Sequence, residues 1–190
     1  MSAGAKFPRQ HASKISNAFI SLIVGSIDRL EVAGSIRREC AEVGDIEIVC
    51  IPVFGEIEKS GGLFAEKVEV NLLWRRLDEL IDQGVILKHW NGSSHTWGDT
   101  MRRLDYGGMC IDVFTATESN WGSILLIRTG SSDYSRHAVD KMLRDGMYRQ
   151  IGGVVKHVAT GEIVPTPTEE SFCALAGIKY RDPKERTGAL

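Results

Sequence analysis

The sequence predicts an α+β fold, in which a mixed or antiparallel sheet has helices on one face and a small α/β subdomain follows it. Two observations indicate the sheet and its helices: apolar residues alternate with polar ones in several short segments, and elsewhere they recur at helical spacing. A third is that the pattern changes after about residue 117, where two helices and short glycine- and proline-containing segments follow. We therefore expect a sheet-containing unit over 1–116 and a smaller unit over 117–190.

The first half of the sheet-containing unit alternates helices and strands. Asn71 is a suitable residue to cap a helix, because its side chain can accept a hydrogen bond from the first turn. Gly55, Gly61 and Gly62 indicate a loop before it. The expected elements are a helix over 8–24, strands over 30–33 and 45–52, a loop over 54–68 and a helix over 71–82.

The remaining elements follow the same two periodicities. Strands are predicted over 85–90, 96–104 and 109–115, and residues 105–108 (DYGG) are typical of a hairpin turn between the last two. Helices are predicted over 119–129 and 132–145, and a small β-rich tail follows them.

The composition excludes several classes of protein. The net charge is −2, which argues against a tight non-specific nucleic-acid binder, although a basic segment runs from Arg136 to Lys156. That segment is compatible with a surface along a DNA backbone and equally with a solvated helix face. The four cysteines form no CxxC pair and the histidines are scattered, so we expect a reducing compartment and no zinc site. We recognise neither a signal peptide nor a membrane span.

Two neighbouring motifs point to nucleotidyl transfer. The first, residues 34–38 (GSIRR), combines a small-residue turn with two arginines and suits an anionic phosphate chain. In the second, Asp45 and Glu47 stand two residues apart in a predicted strand and therefore project from the same face. Two adjacent carboxylates attract hard divalent cations such as Mg2+.

Asp112 is the candidate for a third carboxylate, because a two-metal site for phosphoryl transfer needs an acid from a neighbouring strand. It lies between Ile111 and Val113 in an apolar strand, so it either faces water at a strand end or points at a specific ligand. Each acid alone is compatible with an ordinary surface position, since D-x-E is a weak motif. The ordered set of turn, arginines, D-x-E and strand Asp favours the metal site.

This set of motifs resembles the family X DNA polymerases of the nucleotidyltransferase superfamily. The resemblance covers nearly the whole chain in order, at residues 7–9 (FPR), 34–38, 44–47 (GDIE), 111–112, 129–131 (TGS) and 180–186 (YRDPKER). It implies a nucleotidyltransferase palm over 1–116 and a thumb over 117–190, without lyase or fingers domain, similar to minimal viral members. It also implies that the protein is located in the cytoplasm of a bacterium or of a virus-infected cell.

The resemblance implies a DNA-directed DNA polymerase that adds dNMP to a primer 3′-OH in gap filling or repair and releases pyrophosphate. Asp45, Glu47 and Asp112 would bind two Mg2+ ions, for which Mn2+ can substitute. The family usually has Asp at the position of Glu47. The implied partners are dNTP and gapped or primer-template DNA, with no membrane. An accessory protein that supplies further grip on DNA is compatible with the missing domains.

Further site residues are implied by position in the family motifs. Those implied to bind the nucleotide are Gly34, Ser35, Arg38, Gly44, Thr129, Gly130 and Ser131. Those suggested for DNA or nucleotide contacts are Arg37, Arg128, Ser135, Arg136 and Lys141. The two arginines of the GSIRR motif are also compatible with surface ion pairs to Glu39 or Glu42. Gly130 is compatible with a helix end, and Arg128 with a solvated helix face.

Two other functions fit the sequence. One is a nucleotidyltransferase whose acceptor is a small molecule, a protein or tRNA, which the near-neutral charge favours. The other is a catalytically silent nucleic-acid-binding relative, against which the three intact acids argue.

Overall fold

The computed structural model describes residues 5–59 and 66–186, and their architecture is α+β. No helix among these residues has the length and apolar character needed to cross a membrane. The helices and strands are, in chain order, β1 (Phe7–Pro8), α1 (Arg9–Ile23), β2 (Ile27–Val32), α2 (Gly34–Arg37), β3 (Glu42–Val43), β4 (Ile46–Pro52), β5 (Phe54–Lys59), β6 (Glu66–Asn71), α3 (Leu72–Asp82), β7 (Leu87–Lys88), β8 (Met101–Tyr106), β9 (Met109–Thr115), α4 (Trp121–Thr129), α5 (Ser132–Leu143), β10 (Tyr148–Ile151), β11 (Val154–His157) and α6 (Glu169–Leu175).

A five-stranded sheet forms the centre of the fold, with the strand order β2-β4-β9-β8-β7. The central strands β4 and β9 run parallel, and the other neighbouring pairs are antiparallel. The sheet is therefore mixed, and the predicted α+β class is confirmed. The predicted hairpin between β8 and β9 is also present, with Gly107 and Gly108 between the two strands.

The two faces of this sheet differ in what covers them. Ile46 and Ile48 of β4 are fully buried against a core to which Phe19 of α1 and Leu77 of α3 belong. The alternate residues of β4 point the other way, where Val49 packs with a smaller cluster that includes Trp121 of α4. Glu47 alternates with the core residues and so shares the second face with Val49. The helices α1 and α3 thus leave the acidic side of β4 and β9 free for a site.

A separate core lies in the later part of the chain. Residues of α4, α5, α6 and β11 form it, among them Leu126, Tyr134, Val155 and Phe172. The position of the boundary between the two predicted units, 116/117, stays a prediction.

Two segments contain secondary structure that was not predicted. The expected loop over 54–68 contains β5 and β6, an antiparallel pair aligned from Phe54 opposite Asn71 to Lys59 opposite Glu66. Residues 60–65 of that loop lie outside the described residues. The helix α6 was not expected within the β-rich tail, although a capping box between Thr168 and Ser171 begins it.

Two predicted strands are shorter than expected. The strand expected over 85–90 is reduced to Leu87–Lys88, because Val85 N–H bonds to the Leu80 carbonyl and completes the end of α3. The strand expected over 96–104 begins only at Met101, after a turn in which Gly98 N–H bonds to the Met101 carbonyl.

Candidate active site

Strand pairing brings the three predicted carboxylates to one face of the sheet. Glu47 of β4 and Asp112 of β9 are direct partners in the parallel pair. Asp45 immediately precedes β4 and projects on the same side as Glu47, because side chains two residues apart share a face. The Asp112 side chain is only 4 % exposed, whereas Asp45 and Glu47 are half-buried. We refer to these three residues as the acidic cluster.

The acidic cluster carries unbalanced negative charge. Burial raises the pKa of Glu47 to about 7, and the neighbouring Asp45 and Asp112 carboxylates add to that rise. Burial and repulsion from Asp112 also raise the pKa of Asp45. Arg128 and Arg38 lower the pKa of Glu47, and Arg103 and Arg38 lower that of Asp45, but they do not cancel the rise. A divalent cation among these carboxylates would remove the repulsion.

Arg103 of β8 forms an ion pair with Asp112 of the acidic cluster. It lies directly opposite Asp112 in the β8–β9 pair, and its Nε and Nη2 donate to the two Asp112 carboxylate oxygens, each at 2.5 Å. These hydrogen bonds raise the pKa of Arg103. Sequence reasoning missed this residue, since only the register of β8 against β9 reveals the pairing.

The GSIRR motif forms the short helix α2 beside Glu47. Gly34 has a φ of +62°, and a Cβ atom there would lie 2.0 Å from Glu47 Oε2. The Glu47 carboxylate therefore rests directly on the Gly34 backbone, and a side chain at position 34 would displace it. Ser35 is half-buried in α2, and Gly44 is exposed just before Asp45.

Both arginines of the motif reach the TGS segment, 92 and 91 residues away. Arg37 Nη1 donates to Thr129 Oγ1 at 2.8 Å, and Arg38 Nη1 donates to the Thr129 carbonyl. A Cβ atom on Gly130 would lie 2.8 Å from Arg38 Nη1, so a glycine is needed for this approach. The peptide bond from Gly130 to Ser131 is cis, and Ser131 caps α5.

Arg37 also enters a buried ion cluster. It donates two hydrogen bonds of 2.8 Å to the Glu169 carboxylate, which also accepts one of 2.8 Å from the fully buried Arg186. We call Arg37, Glu169 and Arg186 the Glu169 cluster. Burial alone would raise the pKa of Glu169, but these hydrogen bonds lower it. Arg37 Nε additionally lies 3.6 Å from Glu31 Oε1. The acidic partners of Arg37 are therefore Glu169 and Glu31 rather than Glu39 or Glu42.

The remaining candidates lie on the helices that flank the TGS segment. The Arg128 guanidinium stacks on Phe114 at 3.9 Å and, within the described part of the chain, its Nε has no hydrogen-bond partner. Burial lowers the pKa of Arg128, against the attraction of Glu47 and Asp112. Ser135 is 8 % exposed and its Oγ donates to the Ile127 carbonyl, which connects α5 to α4; its contact with DNA or nucleotide stays a prediction.

Arg136 and Lys141 differ in exposure along α5. Arg136 has an exposed side chain that lies 3.4 Å from Asp133, and Lys141 is half-buried near the end of the helix. Their contact with DNA stays a prediction.

A second group of metal-ligand type stands on the same sheet. One ligand atom each from His89, Asp105 and Cys110 lies within 4.8 Å of the other two. Burial and repulsion from Asp112 raise the pKa of the Cys110 thiol to about 12. Linear spacing did not suggest this group, because strand pairing assembles it.

The acidic cluster suits a divalent metal by the chemistry of its donors. Carboxylate oxygens are the ligands that Mg2+ prefers, and the pKa of Glu47 stays raised although Arg128 and Arg38 attract its carboxylate. The residues present therefore fit the ion that the sequence implies.

Comparison with known proteins finds distant similarity to a DNA polymerase. No family model matches the chain. DNA polymerase lambda of Rattus norvegicus is 26 % identical over 199 aligned positions, which include 95 % of this chain and 33 % of that protein. The chain thus spans about a third of the length of the relative it matches. This similarity supports a distant relationship to the family X polymerases.

Proposed function

We propose that the chain is a nucleotidyltransferase of family X type, which extends the 3′-hydroxyl of a DNA primer with dNMP. One observation carries the proposal: Glu47 and Asp112 are strand partners on one face, with Asp45 beside them and the GSIRR helix in contact. The 26 % identity to DNA polymerase lambda supports the same reaction class. It also supports DNA as a partner.

The acidic cluster would hold the metal, and Arg103 would orient Asp112 toward it. Bound Mg2+ would lower the pKa of the primer hydroxyl and neutralise charge on the triphosphate. The hydroxyl oxygen forms a bond to the α-phosphorus while the bond to the bridging oxygen breaks, and pyrophosphate leaves. The residues of this chain mainly position the reactants and stabilise charge.

The nucleotide would lie between α2 and the TGS segment. Gly34 and Ser35 supply backbone and hydroxyl donors for the triphosphate, and Arg38 supplies positive charge beside it. Arg38 donates to the Thr129 carbonyl, and its charge lowers the pKa of Glu47. It would therefore lie between the phosphates of the nucleotide and the segment that would face its sugar. Thr129, Gly130 and Ser131 would border that sugar.

Extension of a labelled primer on a one-nucleotide gapped duplex tests the proposal. We expect template-directed addition of one dNMP with Mg2+ or Mn2+ at low salt, and loss of that addition in Asp112→Ala. The matched control is Asp82→Asn, an exposed acid at the end of α3, which packs on the opposite face of the sheet. It should extend the primer as the wild type does.

Two results would change the assignment. Metal-dependent dNTP binding without extension would redirect the search to another acceptor. If neither dNTP nor Mg2+ bound, the acidic cluster would not be an active site, and the proposal would be wrong.

A further inference from the structure

Residues from three adjacent strand segments meet on one face of the sheet, next to the acidic cluster. Asp105 of β8 and Cys110 of β9 are direct cross-strand partners. His89 follows β7, and its backbone N–H bonds to the Arg103 carbonyl at 3.1 Å, which extends the β7–β8 ladder. The three ligand atoms all lie within 4.8 Å of one another. We propose that these residues form a second metal site, which binds Zn2+ and is separate from the acidic cluster.

The donor atoms determine which ion the site takes. An imidazole nitrogen and a thiolate sulfur suit Zn2+ and similar transition metals, whereas Mg2+ prefers oxygen ligands alone. The carboxylate and the thiolate together carry two negative charges and the imidazole is neutral, so a bound divalent ion leaves no net charge. Binding replaces the thiol proton with the metal and releases that proton to water.

The geometry is close to what a tetrahedral ion needs. Ligand atoms on a tetrahedral Zn2+ lie roughly 3.3–3.6 Å apart, given its usual bond lengths. His89 Nδ1 and Asp105 Oδ1 are now 2.7 Å apart in a hydrogen bond, and no pair in the group exceeds 4.8 Å. Displacements of the ligand atoms by about an ångström would therefore satisfy the ion. The side chains of His89 and Asp105 are 30 % and 42 % exposed, which leaves access for water as the fourth ligand.

The positive charge of the neighbouring Arg103 does not repel a cation at this second site. Arg103 projects from the same face, but both of its donating groups bond to Asp112 and its charge is paired there. Cys110 and Asp112 stand two residues apart on β9, so the two sites are adjacent yet share no ligand. An ion bound here would also connect β7, an edge strand of only two residues, to β8 and β9.

Cobalt substitution tests the proposal independently of any catalytic activity. The reduced protein, residues 1–190, is titrated with Co2+, and a thiolate-to-cobalt absorption band in the near ultraviolet is expected at one equivalent. Zn2+ should remove that band, whereas excess Mg2+ should not. Zn2+ should also raise the melting temperature of the wild type. Failure of primer extension would leave these results unaffected.

Variants decide which residues bind the ion. Cys110→Ser should lose the band and the melting shift, and His89→Gln should weaken binding by about tenfold or more. Cys40→Ser, at another half-buried cysteine, should keep the band. A band that persists in Cys110→Ser, or no band in the wild type at micromolar protein and metal, would overturn the proposal. A normal metal-free melt of Cys110→Ser would show that the variant is folded.

Discussion

The acidic cluster and the Glu169 cluster are both buried groups of acids and arginines, yet their charge balance is opposite. In the acidic cluster three carboxylates outnumber the guanidinium bound to them, and the pKa of Glu47 rises to about 7. In the Glu169 cluster one carboxylate lies between two arginines, and its pKa is lowered. In the first cluster the neighbouring arginines do not offset the burial and mutual repulsion of the carboxylates, whereas in the second cluster the two arginines do.

This difference is the one expected between a ligand-binding site and a structural contact. A buried ion group whose partners are all present stabilises the fold, and removal of one partner leaves an uncompensated charge. A buried group with surplus charge costs stability until a ligand of opposite charge binds. The same residue types therefore have different purposes in the two clusters.

The largest effect on stability is expected at Glu169. Glu169→Gln should reduce the free energy of unfolding by about 3–5 kcal/mol, because Arg37 and the fully buried Arg186 lose their shared carboxylate. Urea denaturation of the metal-free protein measures this. The neighbouring Glu170→Gln, at an exposed position, is the control. A loss of less than 1 kcal/mol in Glu169→Gln, on the scale of an exposed pair, would contradict the assignment.

The free energy of unfolding should depend on pH through the raised pKa of Glu47. Its folded pKa of about 7 exceeds the ordinary 4.5, so the folded state binds more protons between these values. The free energy of unfolding should therefore fall as pH rises from about 4.5 to about 7, by about 3 kcal/mol, and then level off.

Glu47→Gln should remove this component of the pH dependence, and Glu42→Gln, at an exposed position on β3, should retain it. Above pH 7, Mg2+ should raise the melting temperature of the wild type. Equal pH profiles for wild type and Glu47→Gln would show that Glu47 titrates normally.

Substitution of Gly34 tests whether the close contact between α2 and the Glu47 carboxylate is needed for activity. Gly34→Ala should displace the Glu47 carboxylate, since the new Cβ would stand 2.0 Å from Oε2, and should cost about 1–2 kcal/mol through the positive φ. A displaced metal ligand should lower primer extension on the order of 10²-fold. Gly25→Ala, where a Cβ meets nothing within 4 Å, is the matched variant. Comparable activity in the two variants would show that α2 tolerates a side chain.

The smallest effect is expected at an exposed ion pair. Arg136 and Asp133 lie 3.4 Å apart with both side chains largely in water, so Arg136→Ala should change the free energy of unfolding by less than about 0.5 kcal/mol. If Arg136 contacts a DNA phosphate, the salt dependence of DNA binding should decrease by about one unit in slope. Fluorescence anisotropy across salt concentrations distinguishes a DNA contact from a merely solvated arginine.

The outlines of the fold and the candidate catalytic acids followed from local patterns. A strand with period two places Asp45 and Glu47 on one side, and the same alternation makes Asp112 stand out in an apolar strand. The β5–β6 pair was missed because Gly55, Gly61 and Gly62 are typical of a loop. The helix α6 was missed because two prolines precede it and it is short.

What the sequence by itself determined is therefore the set of residues that periodicity and motif order expose: the α+β class, the GSIRR segment and the three acids. Only the tertiary structure decided which side chains meet across strands and helices. Arg103 reaches Asp112 through register, Arg37 reaches Glu169 across 132 residues, and His89 joins Asp105 and Cys110 through the ladder of β7 to β9. The physical reason is that charge pairing and metal ligation act over a few ångströms in space, and separation along the chain does not encode that distance.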